Sequence, residues 1–192
     1  YEQTGYVGLR LVFSDSSGEV LIQQSPFYSH AVLAEDATFE QDSRFLTYMI
    51  GNTGMLADIV PKGFYTDMAE MGARWGTMDI WWSLMEPTEG TYNWAYYDSY
   101  LQKMVDVGIT PIPHLFGIPK WLSSNPSASE YWLYPPTDWT EWEGFVEDFV
   151  ERYGSRLTYL RIWNEPNTGY WKGTPAQYAE LVIHASQAAK RI

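Results

Sequence analysis

Up to residue 27 the apolar side chains keep a period of two: Val7, Leu9, Leu11 and Phe13, then Val20 and Ile22 beyond the turn sequence DSSG at 15–18. That alternation predicts a β-hairpin. The next stretch, SPFYSHAVLAEDATFEQDS, has no period and reads as a linker or an irregular edge. From residue 45 onward the rhythm becomes a short apolar run followed by a stretch of helical spacing, repeated. Strands are predicted at FLTYMIGNTG (45–54), ARWGTMDIWW (73–82), ITPIPHLFG (109–117) and LTYLRIW (157–163). Helices are predicted at PKGFYTDMAEMG (61–72), WAYYDSYLQKMVDVG (94–108), TDWTEWEGFVEDFVERYG (137–154) and TPAQYAELVIHASQAAK (174–190). Pro61 and Pro175 suit first helical positions, and Thr137 or Asp138, and Thr174, suit caps; Gly72, Gly108 and Gly154 suit stops. The core-facing stripes are Tyr97, Tyr100, Leu101, Met104 and Val105 in the second helix, and Trp142, Phe145, Val146, Phe149, Val150 and Tyr153 in the third.

Four strand–helix units in succession imply parallel strands joined by right-handed crossovers, an α/β class. A doubly wound sheet would usually carry a Gly-rich phosphate turn after its first strand, and IGNTGM is a poor match to it. The polar residues favour a barrel instead. Asp79, Trp82 and Glu86 follow the second strand, His114 and Trp121 the third, and Asn164 and Glu165 the fourth, all at C-terminal strand ends, the active face of a TIM (β/α)8 barrel. Four units make the N-terminal half of one. The expected organisation is a β-rich N-terminal segment over residues 1–44, the tail of a preceding module or a linker, and a partial barrel carrying strands one to four over residues 45–192.

Composition narrows the partners. The net charge is −12, from 12 Lys and Arg against 24 Asp and Glu, which argues against a nucleic-acid partner. No window approaches the roughly 18 apolar residues of a membrane span. There are no cysteines, and the three histidines lack metal-ligand spacing, so neither metal nor cofactor is expected. Aromatic residues make up 17%, with 10 Trp and 15 Tyr, and aromatic faces on an acidic surface suit polyhydroxylated ligands. A carbohydrate partner fits best. The chain opens at Tyr1 without Met and stops inside a helical stretch, and is expected to be a piece of something longer.

The most informative segment is RIWNEPN at 161–167, where an apolar strand runs into Asn-Glu-Pro-Asn. Burying an unpaired carboxylate is expensive, so packing does not explain Glu165. WNEPN at 163–167 resembles the acid/base motif of the retaining glycoside hydrolases built on (β/α) barrels. EPTEGTYNW at 86–94 is similar to a segment following strand two in several of those families, and IPKWL at 118–122 to one following strand three. Together they resemble family 39 most, with families 42 and 5 next, over about residues 45–192. One position departs: many relatives carry an Arg two residues before the Asp of strand two, where Thr77 stands here. Either Arg74 compensates or the sub-branch differs.

The resemblance implies hydrolysis of O-glycosyl bonds by retention, with Glu165 as general acid/base and a second Glu, on a strand beyond this chain, as nucleophile. The acid must hold its proton near neutral pH, and Ile162 and Trp163 are the apolar neighbours expected to desolvate it. Asn164 would meet the sugar 2-hydroxyl. His114 could bind substrate or steady the acid/base pair, and Trp82, Trp121 and Trp163 could stack on sugar rings. Asp79 is expected to pair with Arg74 or Lys120 as scaffolding. Glu86 and Glu89 are expected to be solvated, as is the run Glu143, Glu147 and Glu151. Two other classes remain open: a non-catalytic carbohydrate-binding module and a structural half-barrel that pairs with a second chain.

Overall fold

The structure, a computed structural model, describes residues 72–192 continuously, and before them Ser17 and the elements named here. Strands β1 (Gly5–Gly8), β2 (Leu11–Ser14), β3 (Val20–Gln24) and β4 (Phe27–His30) form two antiparallel ladders, β1 with β4 and β2 with β3. Gly8 facing Phe27 and Leu11 facing Gln24 share one register, which shifts between Phe13 and Ser14, so the strands of the alternating stretch pair as a hairpin would pair them. Phe27–His30, expected within an irregular linker, is a strand because it continues that register.

The second sheet is parallel, ordered β5 (Leu46–Thr47), β6 (Trp75–Trp81), β7 (Thr110–Phe116) and β8 (Arg161–Ile162). Between the strands lie α1 (Phe64–Glu70), the single turn α2 (Trp82–Met85), α3 (Trp94–Asp106) and α4 (Trp139–Tyr153), and α5 (Pro175–Ala189) follows β8. This is a partial parallel sheet with crossover helices, as half of a (β/α) barrel requires. Residues 48–54 of the first expected strand, and Pro61, lie outside the described residues. The fourth expected strand is shorter than expected, Arg161–Ile162, and it ends where Trp163 turns its backbone to a φ of 67°, out of strand geometry.

Strand parity divides the sheet into two faces. Met78 and Ile80 of β6 and Leu115 of β7 are fully buried toward the helices. Trp75, Thr77, Asp79 and Trp81 share the other, inner face, in register with Thr110, Ile112, His114 and Phe116. The helices bury the expected stripes: Tyr97, Tyr100, Leu101 and Met104 from α3, and Trp142, Phe145, Val146, Phe149 and Tyr153 from α4. Val105 is exposed, one position off the α3 stripe. Asp138 caps α4 by accepting from the Thr140 amide. Thr174 caps α5 in a reciprocal capping box with Gln177, and Pro175 follows at the first helical position. Gly154 adopts right-handed helical geometry and continues into a 3-10 turn instead of reversing the chain.

Trp82 sits at the centre of the helix-side core. It is fully buried, stacks on Phe145 at 4.6 Å and 13°, and lies 5.4 Å from Trp142, whose indole N–H donates to the Leu181 carbonyl of α5. Trp82→Ala is expected to cost about 3–5 kcal/mol of stability by denaturant titration, the range for removing a buried aromatic.

Polar ties join the helices outside this core. Arg152 Nε donates to Asp98 Oδ1 at 2.9 Å, linking α4 to α3, and Arg191 and His184 hold Glu143 while Arg191 also reaches Glu147. Glu143 and Glu147 are therefore paired, not merely solvated as expected. The hydrogen bond from Arg152 holds the Asp98 carboxyl below its usual range, and that from His184 does the same for Glu143. Both carboxyls titrate lower folded than unfolded. The stability they contribute is complete above about pH 5 and is lost as pH falls through about 4 and below, and their partial exposure keeps it small. Asp98→Asn should flatten the acid limb of a stability–pH curve and leave the region above pH 6 parallel to wild type.

Candidate active site

The unshifted register of β6, β7 and β8 sets Asp79 opposite His114 and His114 opposite Arg161. One row of three polar side chains thus crosses the inner face near the C-terminal strand ends. His114 is fully buried, and its Nδ1 lies 3.4 Å from Asp79 Oδ1. Its Nε2 meets Arg161 Nη1 at 3.3 Å. A guanidinium only donates, so Nε2 must accept and the ring proton sits on Nδ1, facing the Asp79 carboxylate. Arg161 Nη2 continues the chain by donating to Asn164 Oδ1 at 3.4 Å.

Asp79 was expected to pair with Arg74 or Lys120. Its partner in the row is His114, and Arg74 instead donates to the carbonyls of Ala69 and Ala73 at the opposite end of the strand. Arg74 therefore does not bring a guanidinium to the site in compensation for Thr77. The guanidinium in the row is that of Arg161, a residue the sequence reading did not single out. Its signal was available: it stands three residues before Asn164, with the parity of an inward strand position.

Glu165 follows on a left-handed backbone, φ 42°, and with Trp163 it is one of two non-glycine residues of positive φ among the described residues. Each such residue costs on the order of 1–3 kcal/mol and persists only where surrounding contacts enforce it. Here the Trp163 amide donates to the Leu115 carbonyl and the Trp163 indole N–H to the Tyr170 carbonyl. Thr168 donates to the Glu165 carbonyl through its amide and, at 2.9 Å, through its hydroxyl, which also lies 3.4 Å from Glu165 Oε2. Thr168 was the other residue overlooked, three positions after Glu165. The Glu165 side chain is exposed, so Ile162 and Trp163 do not enclose it here as expected.

The three tryptophans separate. Trp163 is buried against Phe116 and edge-on to Trp171 at 4.9 Å, and Trp82 belongs to the helix-side core, so neither offers an open face to a sugar ring. Trp121 is half-buried, edge-on to Trp82 at 6.0 Å, and its indole N–H donates to the Glu86 carbonyl. The tryptophan that shares the inner face with Asp79 is Trp81, half-buried, 4.4 Å from Phe116 and 6.2 Å from Trp132. Gly117 permits this approach: a Cβ there would lie 3.2 Å from the Trp81 ring, on a backbone with φ 81°.

Glu86 is buried, contrary to expectation. Its carboxylate accepts from the Trp82 indole N–H at 2.6 Å and the Gly90 amide at 2.7 Å, closing the small turn in which Thr88 bridges to Thr91. EPTEGTYNW is thus a structural clamp whose carboxylate binds Trp82 to the loop. Glu86→Ala leaves these donors buried without an acceptor, and unfolding titrations should show a loss of about 3 kcal/mol or more. Glu89 is exposed, as expected.

Comparison with known proteins agrees with this architecture. The profile of Glycosyl hydrolases family 39 matches residues 78–192. A beta-xylosidase of Geobacillus stearothermophilus is 31% identical over 113 residues, covering 53% of this chain and 22% of that protein. A family 39 glycoside hydrolase from Bacteroides cellulosilyticus WH2 superposes with a TM-score of 0.63 at 18% identity, over 98% of this chain and 37% of that one. A GH39 enzyme from Xanthomonas axonopodis pv. citri gives a TM-score of 0.54 at 19% identity, over 72% of this chain and 31% of the other. The exo-beta-1,4-mannosidase Op5Man5 from Opitutaceae bacterium strain TAV5 shares the fold, with a TM-score of 0.57 at 16% identity, over 94% of this chain and 32% of its own. This chain therefore spans well under half the length of these relatives. With the family profile covering β6 to α5 and their connecting loops, the chain belongs to glycosyl hydrolases family 39.

Proposed function

We propose that this chain supplies the acid/base half of a retaining glycosidase, with Glu165 as general acid and base. The observation that carries the reading is Glu165 itself, an exposed carboxylate on a left-handed backbone at the C-terminal end of β8, beside Asn164 and inside the segment matched by the family. In the first step Glu165 protonates the leaving oxygen, and in the second it takes a proton from the attacking water. Asn164 donates to the sugar 2-hydroxyl. His114, fully buried, acts beneath the site by holding Arg161 and does not touch substrate. Trp81 and Trp121, both half-buried, are the aromatic surfaces assigned to substrate contact in this reading.

The nucleophile is a second carboxylate on a strand outside residues 1–192. The domain division proposed with it is a β-rich segment within residues 1–44 ahead of a barrel portion within 45–192. Aryl β-xylosides are the first substrates to test, because a relative sharing 31% identity is named a beta-xylosidase.

In the full-length protein, Glu165→Ala is expected to slow glycosides with poor leaving groups by at least 10²-fold, in line with the loss of a positioned general acid. Azide should restore part of the rate on activated aryl glycosides by replacing water in the second step. Residues 1–192 alone should hydrolyse none of them. An Ala variant with near-normal rates on natural glycans contradicts the assignment. Turnover by residues 1–192 that is abolished by Glu165→Gln contradicts the placement of the nucleophile. Glycan affinity that survives Glu165→Gln, in a full-length protein without turnover, would favour a binding module.

A further inference from the structure

We propose that Arg161 is a positioning residue that fixes which end of the Asn164 amide faces the substrate, an inference that rests on the glycosidase reading above. The two ends of an asparagine amide are nearly equal in size and exchange by rotation about a broad, two-fold torsion. Arg161 Nη2 donates to Asn164 Oδ1 at 3.4 Å. Because a guanidinium carries five donors and no acceptor, this contact selects the orientation with oxygen toward Arg161. The NH2 end, the donor of the amide, is then the end turned away from Arg161.

The orientation matters for the chemistry. A sugar 2-hydroxyl has one proton, and the anionic nucleophile is the strongest acceptor for it. A group on the other side of that hydroxyl must therefore donate, which an Asn164 held by Arg161 does and a flipped one does not.

Arg161 is held in turn. Its Nη1 donates to His114 Nε2 at 3.3 Å, and the far side of that buried imidazole faces the Asp79 carboxylate at 3.4 Å. The strand register fixes all three at one level, so the guanidinium cannot slide along β8 without breaking the ladder. Arg161 thus spans the buried row below and the amide above, and the carboxylate at the far end of the row balances its charge.

The test compares an activated aryl β-xyloside with its 2-deoxy counterpart in the full-length protein. Wild type should prefer the 2-hydroxy substrate in kcat/KM by about 10²-fold or more, as a site built to bind a hydroxyl does. Asn164→Ala sets the preference that remains without the amide. Arg161→Met should shrink the preference at least tenfold toward that value, mainly through kcat, while Arg161→Lys, which still donates to Oδ1, keeps most of it. A folding defect would slow both substrates alike, so an unchanged ratio in Arg161→Met overturns the proposal. In the full-length protein, ring 15N shifts of His114 should show the Nδ1–H tautomer, with mixing in Arg161→Met. An Nε2–H tautomer in wild type also overturns it. If wild type turns over no aryl glycoside, the glycosidase reading fails and the proposal falls with it, whereas turnover with an unchanged ratio defeats this proposal alone.

Discussion

The site depends on three parallel strands running side by side without a shift. Asp79, His114 and Arg161 come from segments separated by about 35 and 47 residues, yet the β6–β7–β8 ladder sets them at one height on one face. A slip of one residue in either pairing would turn His114 or Arg161 toward the helices. There Met78, Ile80 and Leu115 leave no room for charge. The hydrophobic demand of the helix-side face therefore fixes the polar geometry of the inner face. A guanidinium only donates, so the Arg161 contact favours Nε2 of the buried imidazole as acceptor and turns the other ring nitrogen toward the Asp79 carboxylate, which gives the row a direction.

Beyond the row the chain leaves strand geometry at once. Trp163 and Glu165 both adopt left-handed backbone, and the bonds holding them come from several places: the Leu115 carbonyl of β7, the Tyr170 carbonyl, and Thr168 within the same turn. This spends stability to aim one carboxylate outward at the C-terminal edge. The second loop of that edge is fixed differently. Glu86 is buried and clamps its loop to Trp82, which is itself stacked into α4. One glutamate is presented and the other consumed, although both lie just after a strand of the same sheet.

Much of this was legible in the sequence. The period of the apolar residues gave the order of strands and helices, the cap at Thr174 followed from residue type, and of the two candidates Thr137 and Asp138 the structure uses Asp138. The position of Glu165 and Asn164 after the fourth strand came from WNEPN. What failed was the fate of individual side chains. In the pair Trp81-Trp82, a period of two places Trp81 on the face of Asp79 and Trp82 on that of Met78 and Ile80, so parity pointed to the helix-side core for Trp82, and expecting it at the sugar site gave its place after the strand too much weight. Glu86 looked solvated because the turn that buries it is closed by Gly90, four residues on. Arg161 carried a local cue, its inward parity three residues before Asn164, but its other partner, His114, lies 47 residues away and becomes a neighbour only through strand pairing, which leaves no local period.

As the acid/base of a retaining glycosidase, Glu165 would face a second carboxylate across the scissile glycosidic bond. A crystal structure of the full-length protein with a 2-deoxy-2-fluoro xyloside bound would give the separation between Glu165 and the carboxylate nearest the anomeric carbon. A separation of about 5–5.5 Å is expected, with Glu165 on the side of the leaving oxygen. A separation of about 6.5–9.5 Å, or Glu165 turned away from the sugar, would contradict that role.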